Sequence, residues 1–145
     1  MGFFSKTCEY ALRAVMYIAS QSADGKKVGL KEIAEKVNSP AHFLGKILQN
    51  LSKEGLIQSS KGPQGGFYID PVGLTRPLAD VVAAIEGTQF LTGCGMGLSY
   101  CSASNPCPLH KDFKDIRDRL NSMLHRITIG QFNEKLAEGV LTLNK

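Results

Sequence analysis

Three cysteines and a histidine crowd into the eighteen residues from Gly93 to His110, with six, five and two residues separating Cys94, Cys101, Cys107 and His110 in turn. Three soft thiolates and one imidazole are a complete four-ligand set for a transition metal or an iron-sulfur cluster. Structural zinc usually takes cysteine pairs two to four residues apart, so that a tight knuckle wraps one ion, and the first two gaps here are wider. An iron-sulfur cluster is a larger object and suits such loops, and Gly93, Gly95 and Gly97 let the backbone bend closely around it. Zinc stays the alternative occupant. Three thiols in one loop, in a chain whose start carries no secretory pattern, point to reduced metal or redox ligands rather than to disulfides. The fourth cysteine, Cys8, falls on the apolar stripe of a helix and reads as a packing residue.

The elements that must position this loop follow from periodicity. Cys8, Leu12, Val15, Met16 and Ala19 mark a first helix that ends before the turn Ala23, Asp24, Gly25. Leu30, Ile33, Ala34 and Val37 mark a second, broken at Asn38 and Ser39. Ser39 as cap and Pro40 at the first helical position restart the chain into a third helix, whose inward stripe is Leu44, Ile47, Leu48 and Leu51 and whose stop is Gly55. Leu56 and Ile57, a polar tip from Gln58 to Gly66, and the β-prone Phe67, Tyr68 and Ile69 predict a hairpin. A helix follows Pro77, with Leu78, Val81, Val82 and Ile85 on one face and Gly87 as its stop. Asn105 and Pro106 are placed to start a long helix, so that Cys107 and His110 share its first-turn face. Along that helix Leu109, Phe113, Ile116, Leu120, Met123 and Ile127 step by four and three, a heptad seam suited to helix pairing. A short helix follows Thr128. The expected fold is mostly α with a small β-hairpin wing: a winged helix-turn-helix at 1–87, a cysteine-rich loop at 88–106, and a dimerisation helix with a C-terminal segment at 107–145.

In a winged helix the third helix enters the major groove and the hairpin wing reaches the backbone or minor groove. Its exposed side offers His42, Lys46, Gln49, Asn50 and Lys53, and the wing tip offers Lys61 and Gln64, a set rich in donors to base edges and phosphates. Residues 1–70 carry nine Lys and Arg against six Asp and Glu, whereas 71–145 carry eight against seven, so the basic excess lies where DNA would bind. No nucleophile, base and acid fall into a catalytic spacing, and the glycines from Gly62 to Gly66 precede a strand where a dinucleotide fingerprint needs a helix, so enzymatic activity has no support. A small electron-transfer protein is a further alternative, against which the helix-turn-helix and wing argue. The apolar run Val81–Ile85 is far too short to span a bilayer, and a cytoplasmic location is expected.

Several stretches together resemble the Rrf-type winged-helix bacterial transcription regulators, the IscR-like and NsrR-like iron-sulfur repressors. They are the opening SKTCEYALRA (Ser5–Ala14), the wing KGPQGGFY (Lys61–Tyr68), LTRPL (Leu74–Leu78), the three-cysteine loop, and TIGQF (Thr128–Phe132). The resemblance implies a homodimer on a palindromic operator, with DNA affinity set by a bound iron-sulfur cluster that responds to redox state, iron-sulfur status or nitric oxide. Carried over by position, Cys94, Cys101 and Cys107 are the thiolate ligands. His110 matches the histidine of an IscR-like 2Fe-2S site, which the spacing after Cys107 favours, whereas Glu9 matches the first-helix carboxylate that reaches a 4Fe-4S cluster from the partner subunit in NsrR-like proteins. The first cysteine gap is one residue longer than in the commonest IscR-like pattern, which leaves both cluster types open.

Overall fold

The computed structural model describes residues 2–22 and 24–143. The first helix, α1 (Lys6–Ser22), is the hub against which most of the others pack. The Ser5 hydroxyl accepts the Cys8 N–H at 3.2 Å and so caps one of the helix's orphan donors. Its fully buried face runs through Cys8, Ala11, Ala14, Val15, Ile18 and Ala19. Leu12 and Met16, expected at the centre of that stripe, sit half-buried at its edges. The alanines leave room for neighbours on several sides, which a run of large side chains would not. Of the turn expected at Ala23 to Gly25, Ala23 lies outside the described residues.

Helices α2 (Leu30–Val37) and α3 (Ala41–Lys53) form the helix-turn-helix. Asn38 closes α2 in the left-handed region at φ 55°, a conformation that asparagine tolerates, and Ser39 donates its N–H to the Ala34 carbonyl at 2.9 Å. The Ser39 hydroxyl points to the Pro40 carbonyl, to which it donates at 3.3 Å, and not to the amides of the next helix. Pro40 takes the N-cap of α3, and no side chain caps it, contrary to the expected Ser39 cap. At the other end Gly55, at φ 75°, terminates α3 in a Schellman motif: Leu56 N–H reaches Leu51 O at 2.9 Å and Gly55 N–H reaches Ser52 O at 3.0 Å. Gly45, inside α3, faces Leu30, whose Cδ2 would lie 3.6 Å from an added Cβ, an ordinary contact.

The hairpin comprises β1 (Gln58–Ser60) and β2 (Gly66–Tyr68), antiparallel with Ser59 opposite Phe67. Leu56 and Ile57, expected as the first strand, are buried anchors that precede it, and the ladder runs out into the polar residues expected as tip. Hydropathy marks where a strand meets a core, while backbone pairing continues beyond it into solvent. Val28 adds a one-residue bridge on the other side of Phe67, with bonds of 2.9 and 2.7 Å. Ser22 ties the wing to α1, since its hydroxyl accepts the Ile69 N–H at 3.0 Å.

A four-residue turn of helix, α4 (Pro71–Leu74), is capped by Asp70, whose Oδ1 accepts Gly73 N–H at 2.7 Å; such a cap contributes about 1 kcal/mol. Helix α5 (Leu78–Glu86) stops at Gly87, as the periodicity predicts, and buries Leu78, Val81 and Val82 of the expected face together with Ala79, whereas Ile85 is half-buried. The long helix α6 (His110–Arg126) begins later than expected. Asn105 and Cys107 each precede a proline, which disfavours helical backbone, so Asn105 closes a tight turn with Ser102 and Cys107 lies in the turn before the helix. Leu78 N–H bonds Ile127 O at 2.9 Å and Ile129 N–H bonds Arg76 O at 2.9 Å, which fasten the end of α6 to the rest of the fold. A short α7 (Asn133–Ala137) follows and packs on α1.

The heptad seam of α6 divides. Leu120 and Ile127 pack against the core beside the buried Leu124 and Ile129, whereas Leu109, Phe113, Ile116 and Met123 stay outward, Ile116 with 58% of its surface exposed. Among the described residues no helix is long and apolar enough to cross a membrane.

Candidate metal centre and nucleic-acid interface

The loop between α5 and α6 folds so that the ligand atoms of Cys94, Cys101 and Cys107 all lie within 4.8 Å of one another. All three thiols are free and half-buried, and the Cys94 and Cys107 sulfurs stand 3.8 Å apart. The Cys107 amide donates to Cys101 Sγ at 3.3 Å. His110, the first residue of α6, joins from one side, with Nδ1 3.3 Å from Cys101 Sγ. Convergence of three soft donors with an imidazole beside them fits a thiolate-held metal or iron-sulfur cluster, and an open cavity of about 420 Å³ borders Cys94 and Cys101.

The site favours charged sulfur unevenly. Backbone amides of Leu98 and Met96 stabilise the Cys94 thiolate, the Met96 N–H standing 3.4 Å from Sγ, and hold its pKa down to about 7. For Cys101 the Cys107 amide acts downward, but desolvation and the neighbouring Cys107 and Cys94 sulfurs outweigh it and raise the thiol. Cys8 has no part in this group. Burial, with the Glu86 and Glu9 carboxylates nearby, pushes it up to about 12, as suits an inert packing thiol.

Glu9 does not enter the thiol group within the chain. Its carboxylate is 3.4 Å from Lys6 Nζ on α1 and packs against Gly2.

Two residues of α6 also touch the loop: Phe113, which spacing assigns to the seam, and Arg117, which spacing does not mark. Arg117 donates from its guanidinium to the Gly93 carbonyl, and Phe113 lies against Gly95 so closely that a Cβ there would come within 2.7 Å of three ring carbons. Their four-residue separation on the long helix is the only available signal, and it reads equally well as part of a seam.

On α3, His42, Lys46, Gln49 and Lys53 are exposed, opposite the buried Leu44, Ile47, Leu48 and Leu51. Asn50 is also exposed, but its Nδ2 bonds the Ala84 carbonyl of α5 at 3.4 Å, which turns it towards the protein. Lys61 and Gln64 are exposed at the wing tip. Lys27, not singled out from the sequence, stands 5.3 Å over the Tyr68 ring of β2 and adds a cation beside the wing.

Comparison with known proteins identifies the family. The Rrf2 family, described as an iron-dependent transcriptional regulator, matches residues 4–135. The chain belongs to the Rrf2 family. This Rrf2 chain is 30% identical over 122 residues to the HTH-type transcriptional regulator IscR of Escherichia coli O1:K1, covering 84% of the chain and 74% of that relative. Among solved structures it is similar to CymR, the global cysteine regulator of B. subtilis, with a TM-score of 0.74 at 21% identity over 92% of this chain and 98% of that one. It is also similar to T. potens IscR, with a TM-score of 0.72 at 21% identity over 96% and 91% of the two chains. At those identities the structures speak for the winged-helix fold alone. Family and relatives are transcriptional regulators and not enzymes.

Proposed function

We propose that this Rrf2 regulator is an iron-sulfur-dependent DNA-binding repressor that acts as a homodimer on a palindromic operator and senses redox state, iron-sulfur status or nitric oxide. The observation that carries this reading is the group of three free, half-buried thiols within 4.8 Å of one another, next to a long helix with an exposed apolar row. Cys94, Cys101 and Cys107 are the thiolate ligands, and His110 is the favoured fourth, for a 2Fe-2S cluster. Glu9 of the partner subunit is the alternative, for a 4Fe-4S cluster.

When bound, the cluster supplies a redox-active group whose oxidation or loss changes what the loop is tied to. The chain does the rest. The three cysteines draw 94–107 together in front of α6, and His110 links that loop to the helix itself. Leu109, Phe113, Ile116 and Met123 offer α6 to a second copy, and the relative placement of the two winged helices sets the half-site spacing that the dimer can match. His42, Lys46, Gln49 and Lys53 on α3, with Lys61 and Gln64 on the wing, contact DNA, while Asn50 is a weaker candidate because α5 holds it. Residues 1–87 thus read DNA, 88–106 hold the cluster together with Cys107 and His110, and 107–145 assemble the dimer. A cytoplasmic location fits such a regulator.

An anaerobic gel shift on the DNA upstream of the gene, with cluster-loaded and metal-free chain side by side, tests this reading. Retardation whose strength differs between the two forms is expected. No retardation by either, or equal affinity in both, overturns it.

A further inference from the structure

The three thiols are not held in the same way. Cys101 and Cys107 are fixed by short-range bonds of the loop: the Cys107 amide to Cys101 Sγ at 3.3 Å, the backbone pair between Ser102 and Asn105 at 3.1 and 3.2 Å, and His110 N–H to Cys107 O at 3.1 Å. Cys94 has local bonds too, from the Met96 N–H to its Sγ at 3.4 Å and from the Gly97 N–H to its carbonyl at 2.9 Å, but it is thirteen residues from Cys107 and meets it at 3.8 Å. What brackets Cys94 on both sides is α6. The residue before it, Gly93, gives its carbonyl to Arg117 and its N–H to Gln89 O at 2.7 Å, so that both of its backbone polar groups are engaged. The residue after it, Gly95, lies over the Phe113 ring, where a Cβ would stand 2.7 Å from ring carbons. Phe113 and Arg117 are four residues apart and therefore project from one side of α6.

The geometry assigns Phe113 and Arg117 as positioning residues for Cys94: they hold it within reach of Cys101 and Cys107 and couple that one ligand to the outward row of the long helix. This rests on the proposed use of the trio as ligands and adds which thiol the helix controls. Phe113 is itself 37% exposed and in step with Leu109 and Ile116, so the ring that touches the loop also belongs to the face that a second copy would cover. Arg117 is half-buried, and its planar fork suits a backbone carbonyl. Neither residue touches Cys101 or Cys107 through the bonds described, so their effect should be specific to Cys94.

The test compares Arg117→Ala, Arg117→Lys and Phe113→Ala with the unsubstituted full chain. Metal-free reduced protein is alkylated with iodoacetamide and each cysteine is followed separately by peptide mass mapping. In Arg117→Ala, Cys94 should react roughly tenfold faster, as expected for removal of a charge-assisted hydrogen bond. Cys107 should change by less than about twofold, because its own bonds are local. Arg117→Lys, which keeps a cationic donor, should recover much of the protection, and Phe113→Ala should expose Cys94 through the other contact. After anaerobic loading, Arg117→Ala should release iron and sulfide to a chelator faster than the unsubstituted chain. An unchanged Cys94 rate in Arg117→Ala, or a rise shared equally by all three thiols, overturns the assignment. If the unsubstituted chain takes up no iron and sulfide, the functional reading fails, and Cys94-selective alkylation still decides the assignment.

Discussion

Nδ1 of His110 lies 3.3 Å from Sγ of Cys101, and the same sulfur receives the Cys107 amide at 3.3 Å, so Cys101 is the point where the imidazole meets the thiol group. If His110 completes the ligand set, His110→Cys should still assemble a cluster but with an all-thiolate signature and a lower reduction potential, because exchange of imidazole for thiolate adds negative charge. Mössbauer spectroscopy of His110→Cys and His110→Ala beside Glu9→Ala separates the candidates. An unaltered spectrum in His110→Ala, with cluster loss in Glu9→Ala, moves the assignment to the partner subunit's Glu9.

The two ends of the thiol scale give a pH test. Cys94, lowered to about 7 by the Leu98 and Met96 amides, gains its nucleophilic thiolate as pH rises through that value, whereas Cys8, pushed up to about 12 by burial, stays protonated. In the folded metal-free chain the alkylation rate at Cys94 should climb between about pH 6 and pH 8 and level off above, with Cys8 unmodified until the chain is unfolded. A Cys94 profile that rises only near pH 9, the ordinary thiol range, would show that the amides do not stabilise its thiolate.

The divided seam of α6 separates assembly from stability. Ile116 is 58% exposed and Leu124 is 1% exposed on the same helix. Ile116→Asp should yield a folded monomer in sedimentation, since a carboxylate cannot be desolvated at an apolar interface without a partner. Leu124→Ala should instead destabilise each chain by about 2–5 kcal/mol in denaturant titration, the range for a truncated core leucine. A dimer that persists in Ile116→Asp removes the outward row from the interface.

Much of this is legible in the residues themselves. Helix periodicity locates the helix-turn-helix, the Gly55 and Gly87 stops and the long helix, because buried stripes and left-handed glycines leave direct marks in a sequence. Residues whose roles depend on partners far along the chain are not legible. Leu120 belongs to an unbroken heptad yet packs inward, since the bonds from Leu78 and Ile129 fix the roll of the helix end. Asn50 looks like any exposed amide on α3 until α5 supplies the Ala84 carbonyl. Type and spacing mark the four ligand candidates of the cysteine loop, while Arg117 and Phe113 stay hidden because a carbonyl and a glycine, their partners, have no side-chain signature.

On DNA, Lys46 and Asn50 should part company. Lys46→Ala should weaken operator binding and lower the slope of affinity against salt by about 0.9, the amount for one phosphate that is no longer neutralised. Asn50→Ala should leave that slope unchanged, because Asn50 carries no charge and is bonded to α5. Equal salt slopes in Lys46→Ala and the unsubstituted chain would remove Lys46 from the phosphate-binding set.

Metal and sulfide analysis of the full chain, purified without oxygen and followed by its visible spectrum, bears most directly on the thiol group as the seat of an iron-sulfur switch. Iron and acid-labile sulfide in equal amounts, about two of each per chain, with visible absorption that bleaches on reduction and disappears in Cys101→Ser, is the expected result. One zinc per chain without sulfide, or iron and sulfide retained in full by Cys101→Ser, would contradict it.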